Sequence, residues 1–319
     1  MRLKPVLTAL AALCFALPAA AQSAYPNKPI KFIVPFAAGS ATDTVARVVG
    51  NKLGNDLGQT VVVENAAGAN GVIAAQKVAQ ATPDGYTLLI STNTTHAANQ
   101  SMLKKLPYDP VKDFETVSML GTIPMALVVH PSLPVSSVKD LVAYAKANPN
   151  KLSFGSGSSS SRISVEMLKT MTGIDILHVP YKSNPQAVTD LIGGNLSLMI
   201  ADVSTTLPNA AAGKLKALAV STTKPSPVAP GLPTIAESVP GYELTAWFAA
   251  WLPAKTDAAI ADKLQAAIAK AIADKEVREK LMAAGIEPVS SSRKELAAFQ
   301  ASETEKWAKV VKAAGIEPE

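Results

Sequence analysis

Ile30-Lys31-Phe32-Ile33-Val34-Pro35-Phe36-Ala37-Ala38-Gly39-Ser40-Ala41-Thr42-Asp43 reads as a buried strand, a small-residue loop and the first turn of a helix. Small residues let the backbone approach a ligand closely. The unpaired N–H groups at a helix start, together with the helix dipole, favour a carboxylate or phosphate there. Ser40 and Asp43 stand three apart as in a capping box, although a capping box proper ends in Glu or Gln. Taken alone, the stretch is equally a plain tight turn of an α/β fold with no ligand.

A second such stretch lies further along the chain. Leu152-Ser153-Phe154 reads as a strand, Gly155-Ser156-Gly157-Ser158-Ser159-Ser160-Ser161 as a loop, and Ile163 to Thr172 as a helix. Two such helix starts facing one cleft would clamp an acid. One helix end contributes about 0.3–1 kcal/mol, at most about 2 when partly buried. Micromolar affinity needs about 8 kcal/mol. Direct hydrogen bonds, apolar burial of the ligand and water exclusion by domain closure must supply the rest, so two mobile lobes are required.

Strand-like runs alternate with helical ones, the rhythm of a parallel α/β sheet. Val61 to Val63, Thr87 to Ile90, Ala126 to Val129, Leu177 to Val179, Leu196 to Ala201 and Lys216 to Val220 are the strands; Val72 to Gln80, Val138 to Ala147 and Pro185 to Ile192 are the helices. The proline-rich residues 224–233 form a surface loop, because proline removes ladder donors and blocks helix interiors. After it the pattern turns helical over Asp257 to Ala273, Lys275 to Ala284 and Lys294 to Ala314. Met282 to Pro288 resembles Lys312 to Pro318, and both read as helix stops with Gly at the end and Pro beyond.

Residues 1–21 have the form of an export leader: Arg2 and Lys4, an apolar run from Val6 to Leu17, and Ala19-Ala20-Ala21 as the cleavage site. Cleavage after Ala21 leaves 298 of the 319 residues, with 28 bases against 25 acids. A net charge of +3 with scattered lysines gives no nucleic-acid footprint. Cys14 is the only cysteine and lies in the leader behind Leu13, so no lipid anchor, disulfide or thiol chemistry is expected. No later apolar run reaches the roughly 18 residues of a membrane span.

Other chemistry is poorly supplied. The chain has three histidines, His96, His130 and His178, with no spacing suited to a metal. A nucleophilic serine in the second loop would lack Gly-x-Ser-x-Gly and a ready base, leaving a periplasmic serine hydrolase as a remote alternative. His130 and His178 read as structural, and only His96 is placed near the cleft. Asp202, at the end of an apolar strand, either faces the cleft or caps the next helix. Ser91, Thr92 and Asn93 either line the cleft or form a solvated loop. Trp247-Phe248 and Trp251 read as core or hinge-wall packing rather than ligand stacking.

Tyr25-Pro26-x-x-Pro29-Ile30, Val34-Pro35-Phe36-Ala37, Val63-Glu64-Asn65, Pro83-Asp84-Gly85-Tyr86-Thr87-Leu88, Leu106-Pro107-Tyr108-Asp109 and Val179-Pro180-Tyr181-Lys182 together resemble the Bug family, the substrate-binding proteins of tripartite tricarboxylate transporters. The resemblance covers essentially the whole chain after the leader. It implies a periplasmic, non-catalytic α/β protein, periplasmic binding protein type II-like, with a ligand cleft between two lobes joined by crossover hinge strands. Lobe 1 would comprise residues 22–124 and 248–319, and lobe 2 residues 125–247. A small carboxylate is the implied ligand, with no cofactor or metal. The implied partners of this monomer are a large and a small membrane permease subunit, or alternatively a sensor kinase.

Carried onto this chain, the family's first loop matches Phe36, Ala37, Ala38, Gly39, Ser40, Thr42 and Asp43, and its second matches Gly155, Ser156, Gly157, Ser158 and Ser159. The cleft aspartate matches Asp202, and Ser91, Thr92 and Asn93 match a cleft-lining segment. Three departures stand out: Ser40 in place of a second Gly, Ala66-Ala67 in place of Arg-Pro, and Arg162-Ile163 in place of His-Leu. Ser40 touches the site, where it adds a hydroxyl and stiffens the loop.

Overall fold

The computed structural model describes residues 25–318, so the leader lies outside the described residues. The first strand, β1 (Ile30–Val34), is buried at every residue but Lys31, which is why the run is nearly all apolar. α1 (Ala41–Leu57) buries Val45, Val49 and Leu53 at four-residue spacing against the sheet and stops at Gly58 in the left-handed conformation.

Nine strands make one continuous curled sheet in the order β2-β1-β3-β9-β4-β7-β5-β6, with β8 also paired to β4. Here β2 is Val61–Asn65, β3 Thr87–Thr92, β4 Phe114–Val129, β5 Ser153–Ser156, β6 Leu177–Pro180, β7 Leu198–Asp202, β8 Lys216–Val220 and β9 Thr245–Pro253. β4 joins the two halves. From Phe114 to Pro124 it runs antiparallel to β9, and from Met125 to Val129 it lies between β7 and β8. Pro124, which has no N–H to donate, stands where the partners change.

The first half carries α1, α2 (Val72–Ala79), α3 (Asn99–Met102) and, counted after the helices of the second half, α8 (Ala258–Ala273), α9 (Lys275–Ala283) and α10 (Arg293–Ala313). The second half carries α4 (Val138–Ala147), α5 (Ser159–Thr172), α6 (Asn184–Ile192) and α7 (Val203–Ala211). Both expected Gly stops are present, with Gly285 and Gly315 at positive φ just past α9 and α10.

Several elements differ from the sequence reading, among them α3, which it did not expect. β4 begins at Phe114 rather than Ala126, because Gly121 and Pro124 sit inside it at irregular, partner-switching positions. The sequence reading takes Trp247, Phe248 and Trp251 only as packing aromatics, but they belong to β9, which is apolar and buried from Ala246 to Pro253. α5 starts at Ser159, so the expected loop from Gly155 to Ser161 shrinks to Gly157 and Ser158.

α10 is fastened across β9 by its tryptophans. Trp247 and Trp307 both donate their indole N–H to Glu303 Oε2, at 2.8 and 2.9 Å, and Trp251 donates to Gln300 Oε1 at 3.1 Å. His96 stacks on Trp251 with ring centres 3.7 Å apart and is wholly buried. The expectation that it sits beside the cleft is corrected, since the imidazole fills the core beneath α10. Burial holds it in the neutral form, well below the usual histidine range.

Glu303→Ala removes the acceptor of two buried indoles. Stranding two donors should cost about 2–4 kcal/mol in urea unfolding, whereas replacing the exposed Glu305 should leave the midpoint unchanged.

Candidate functional site

Four helices begin at one crevice. Its lining takes Ser40 and Thr42 from the start of α1, Ser158 and Ser160 from α5, Ser183 and Asn184 from α6, and Asp202 from the position just before α7. Phe36, Ala246 and Phe248 give it an apolar side, and Thr92 closes one end. Only about 20 Å³ between these walls admits the centre of a water molecule. The two halves are therefore drawn together.

The first loop is fixed by Asp43. Its carboxylate accepts from the Gly39 N–H at 3.0 Å, from Arg47 Nε at 2.9 Å and from Asn65 Nδ2 at 2.9 Å. Burial alone would raise its pKa, but these hydrogen bonds and the Arg47 charge outweigh burial and hold the carboxyl below the usual range. Asn65 Nδ2 also reaches the Phe36 carbonyl at 2.9 Å, so β2 braces the loop from behind. Gly39 adopts φ +80°, with open space where a side chain would stand. Alanine there would meet strain but no clash.

The second loop is fixed by Asn184. Its Oδ1 accepts from the Gly157 N–H at 2.9 Å and from Ser161 Oγ at 3.0 Å, while its Nδ2 donates to Asp202 Oδ2 at 3.1 Å. Gly157 lies so close to α6 that an added Cβ would come within 2.0 Å of the Ser183 carbonyl carbon. Asp202 precedes α7, makes no side-chain cap to it and lines the crevice. Burial pushes its carboxyl up to about 6, against the opposing hydrogen bond from Asn184.

The hydroxyls share one polarity. Ser40 Oγ accepts from the Asp43 N–H, Thr92 Oγ1 from the Thr94 N–H, Ser160 Oγ from Asn93 Nδ2 and Ser183 Oγ from the Ala37 N–H, at 2.8–3.2 Å. A hydroxyl that is already accepting keeps its proton for another acceptor. Among the described residues, no Lys, Arg or His lines the crevice. The site therefore offers neutral donors and helix dipoles to an acceptor-rich guest, and only the carboxyl of Asp202 opposes an anion.

Of the residues picked out in the sequence, Phe36, Ser40, Thr42, Thr92, Ser158 and Asp202 line the crevice. Ala37 is at its edge, bonded to Ser183, and Ala38 and Gly39 are exposed on the rim. Asp43 lies behind the loop. Ser91 is buried against Thr95 Oγ1 at 2.7 Å, and Asn93 is buried between the two halves. Gly155 and Ser156 belong to β5, with Ser156 paired to His178 Nε2 at 2.7 Å outside the crevice lining. Gly157 packs on α6 and Ser159 donates to Asn99 Oδ1 at 3.4 Å. The sequence reading missed Ser160, Ser183, Asn184, Ala246 and Phe248. Ser183-Asn184-Pro185, a cap residue closely followed by proline, was the available signal for two of them.

Residues 45–316 match the family described as "Tripartite tricarboxylate transporter family receptor". Among solved structures, R. palustris Rpa4515 with adipate is 38% identical with a TM-score of 0.90, covering 92% of this chain and 100% of its own. The periplasmic binding protein BugD is 34% identical at 0.89, with coverage of 92% and 100%. MatC (Rpa3494) from Rhodopseudomonas palustris with bound malate is 31% identical at 0.85, with coverage of 90% and 100%. These neighbours are α/β periplasmic binding proteins, solute-binding proteins rather than enzymes. The chain belongs to the tripartite tricarboxylate transporter receptor family, to which the Bug proteins also belong.

Gly157→Ala should push α6 away, cost about 1–3 kcal/mol in urea unfolding and abolish ligand-induced stabilisation. Gly39→Ala should cost only about 1–2 kcal/mol. Asp202→Asn tests the half-buried carboxyl at the crevice. Its raised pKa means that its contribution to stability is complete below the unfolded value of 3.8 and is lost as the pH rises through about 6. Thermal unfolding across pH should find the Asn variant more stable than the parent above pH 6, by up to about 3 kcal/mol. That advantage should vanish below about pH 4.

Proposed function

We propose that this chain is an exported receptor that captures a small dicarboxylate in the crevice between its lobes and delivers it to the large and small membrane subunits of a tripartite tricarboxylate-type transporter. The observation that carries the ligand class is the shared polarity of Ser40, Thr92, Ser160 and Ser183, whose protons are left for an acceptor where four helices begin. Two relatives supply a parallel, one solved with adipate and one with malate. Phe36, Phe248 and Ala246 give the carbon frame of such an acid an apolar wall.

The lobe division at residues 22–124 with 248–319 against 125–247 is part of this reading. The exchange of β4 partners between Pro124 and Met125 supports it. A crevice this narrow admits a six-carbon acid only when the lobes part, so capture involves opening and reclosure. Export rests on the leader form of residues 1–21 and on the periplasmic character of relatives such as BugD. The receptor acts as a monomer in this reading.

Thermal unfolding with adipate, malate, citrate, hexanoate and the neutral diamide of adipate tests the ligand class. A dicarboxylate at 100 times its dissociation constant should stabilise by about 2.7 kcal/mol, and the diamide should have no effect. Equal stabilisation by the diamide, or none by any acid, would contradict the proposal.

A further inference from the structure

Asp202 is the one carboxyl among the described residues that line the crevice. From α1, α5, α6, β3 and β9 the same space receives hydroxyls, one amide and apolar side chains. The elements packed around Asp202 do carry charges: Asp43 and Arg47 on α1, Arg162 on α5, Asp190 on α6, and Glu287 beside the Gly285 turn that packs on Val203. None of these lines the crevice. Asp43 and Arg47 are paired with each other, and Asp190 accepts from Tyr181 Oη at 2.6 Å. On β4, the residue in register with Asp202 is Met125.

Asn184 fixes where a proton on Asp202 must stand. Its Oδ1 accepts from the main-chain N–H of Gly157 at 2.9 Å, a group that can only donate. The other end of the amide is therefore Nδ2, and Asp202 Oδ2 accepts from it at 3.1 Å. No other described residue bonds Oδ1 of Asp202. A proton on this carboxyl then belongs on Oδ1, where it is left for an oxygen of a guest. In that form Asp202 has the polarity of Ser40, Thr92, Ser160 and Ser183, with its accepting atom engaged and its proton free.

Ionised, Asp202 instead sets a full negative charge against any anion in a very narrow space. Two carboxyl groups brought together in a water-poor site hold one proton between them. Burial already pushes Asp202 up to about 6, against the hydrogen bond from Asn184, and the charge of a guest pushes it further the same way. We propose that the receptor binds its dicarboxylate together with one proton, carried on Asp202 Oδ1 and donated to a carboxylate oxygen of the guest. One dianion and one proton from solvent are taken up by the ionised residue, and no bond in the guest is broken. This role for Asp202 rests on the dicarboxylate reading of the crevice.

Calorimetry with adipate between about pH 6.5 and 8.5, in two buffers of different ionisation heat, measures both the affinity and the protons taken up. Ordinary carboxyls titrate near pH 4, so adipate keeps its charge throughout this range. Wild type should take up close to one proton per adipate at about pH 7.5, and its dissociation constant should rise about tenfold from pH 7 to pH 8. Asp202→Asn keeps an acceptor for Asn184 and a donor for the guest but does not titrate. It should bind adipate at least about tenfold more tightly than wild type at pH 8 and show no slope with pH.

Binding by wild type that is independent of pH and takes up no proton would overturn the proposal and leave the dicarboxylate reading standing. A slope that persists in Asp202→Asn would overturn it too, since the proton would then sit elsewhere. Proton uptake by wild type needs no variant, which keeps the test decisive if Asp202→Asn folds poorly. Absence of binding by adipate, malate and citrate at about pH 6.5 would contradict the dicarboxylate reading itself, and the bound proton with it.

Discussion

A helix begins with N–H groups that nothing inside the helix can satisfy, and here α1, α5, α6 and α7 all begin at one crevice. Each start must find acceptors in side chains or in a guest. Side chains meet part of the demand: Ser40 takes the Asp43 N–H and Ser158 takes the Ser161 N–H. The remainder gives the crevice a positive cast without a cationic side chain among the described residues of its wall. The sheet order, the long β4 and the closeness of the two halves all serve to bring those four starts together.

The two fixed loops are held by opposite means. Asp43 holds the first with a full charge, answered by Arg47 and by amide donors, and it is kept away from the crevice. Asn184 holds the second with a neutral amide that reaches Gly157, Ser161 and Asp202 together. A charged residue in the place of Asn184 would add its own field to a crevice whose described lining holds no cationic side chain. Asp202 is the exception, a carboxyl at the crevice whose ionised form burial disfavours.

Much of this was legible in the residues. The run from Ile30 to Asp43 predicts β1, its loop and the start of α1, because an unbroken apolar strand followed by small residues and a Ser cap leaves few alternatives. The repeated Gly-Ile-Glu-Pro stops were equally clear. β4 was half hidden, since Gly121 and Pro124 are local breakers, and only pairing with β9 and β7 carries the strand through them. At the site, the hydroxyls of α1 and α5 stood out by their spacing. Ser183 and Asn184 did not, because their role depends on how α6 approaches Gly157, a contact 27 residues distant in the chain for the amide pair. Asn93 was visible as a polar residue at a strand end, but its link to Ser160 exists only once the halves meet.

The claim on which the rest depends is that a carboxylate is bound by helix starts rather than by cationic side chains. A crystal structure of the protein with adipate tests it most directly. The account predicts carboxylate oxygens within about 2.7–3.2 Å of main-chain N–H groups and hydroxyls at the starts of α1 and α5, with the carbon chain along Phe36 and Phe248. Adipate held instead by lysine or arginine side chains outside this crevice would contradict it.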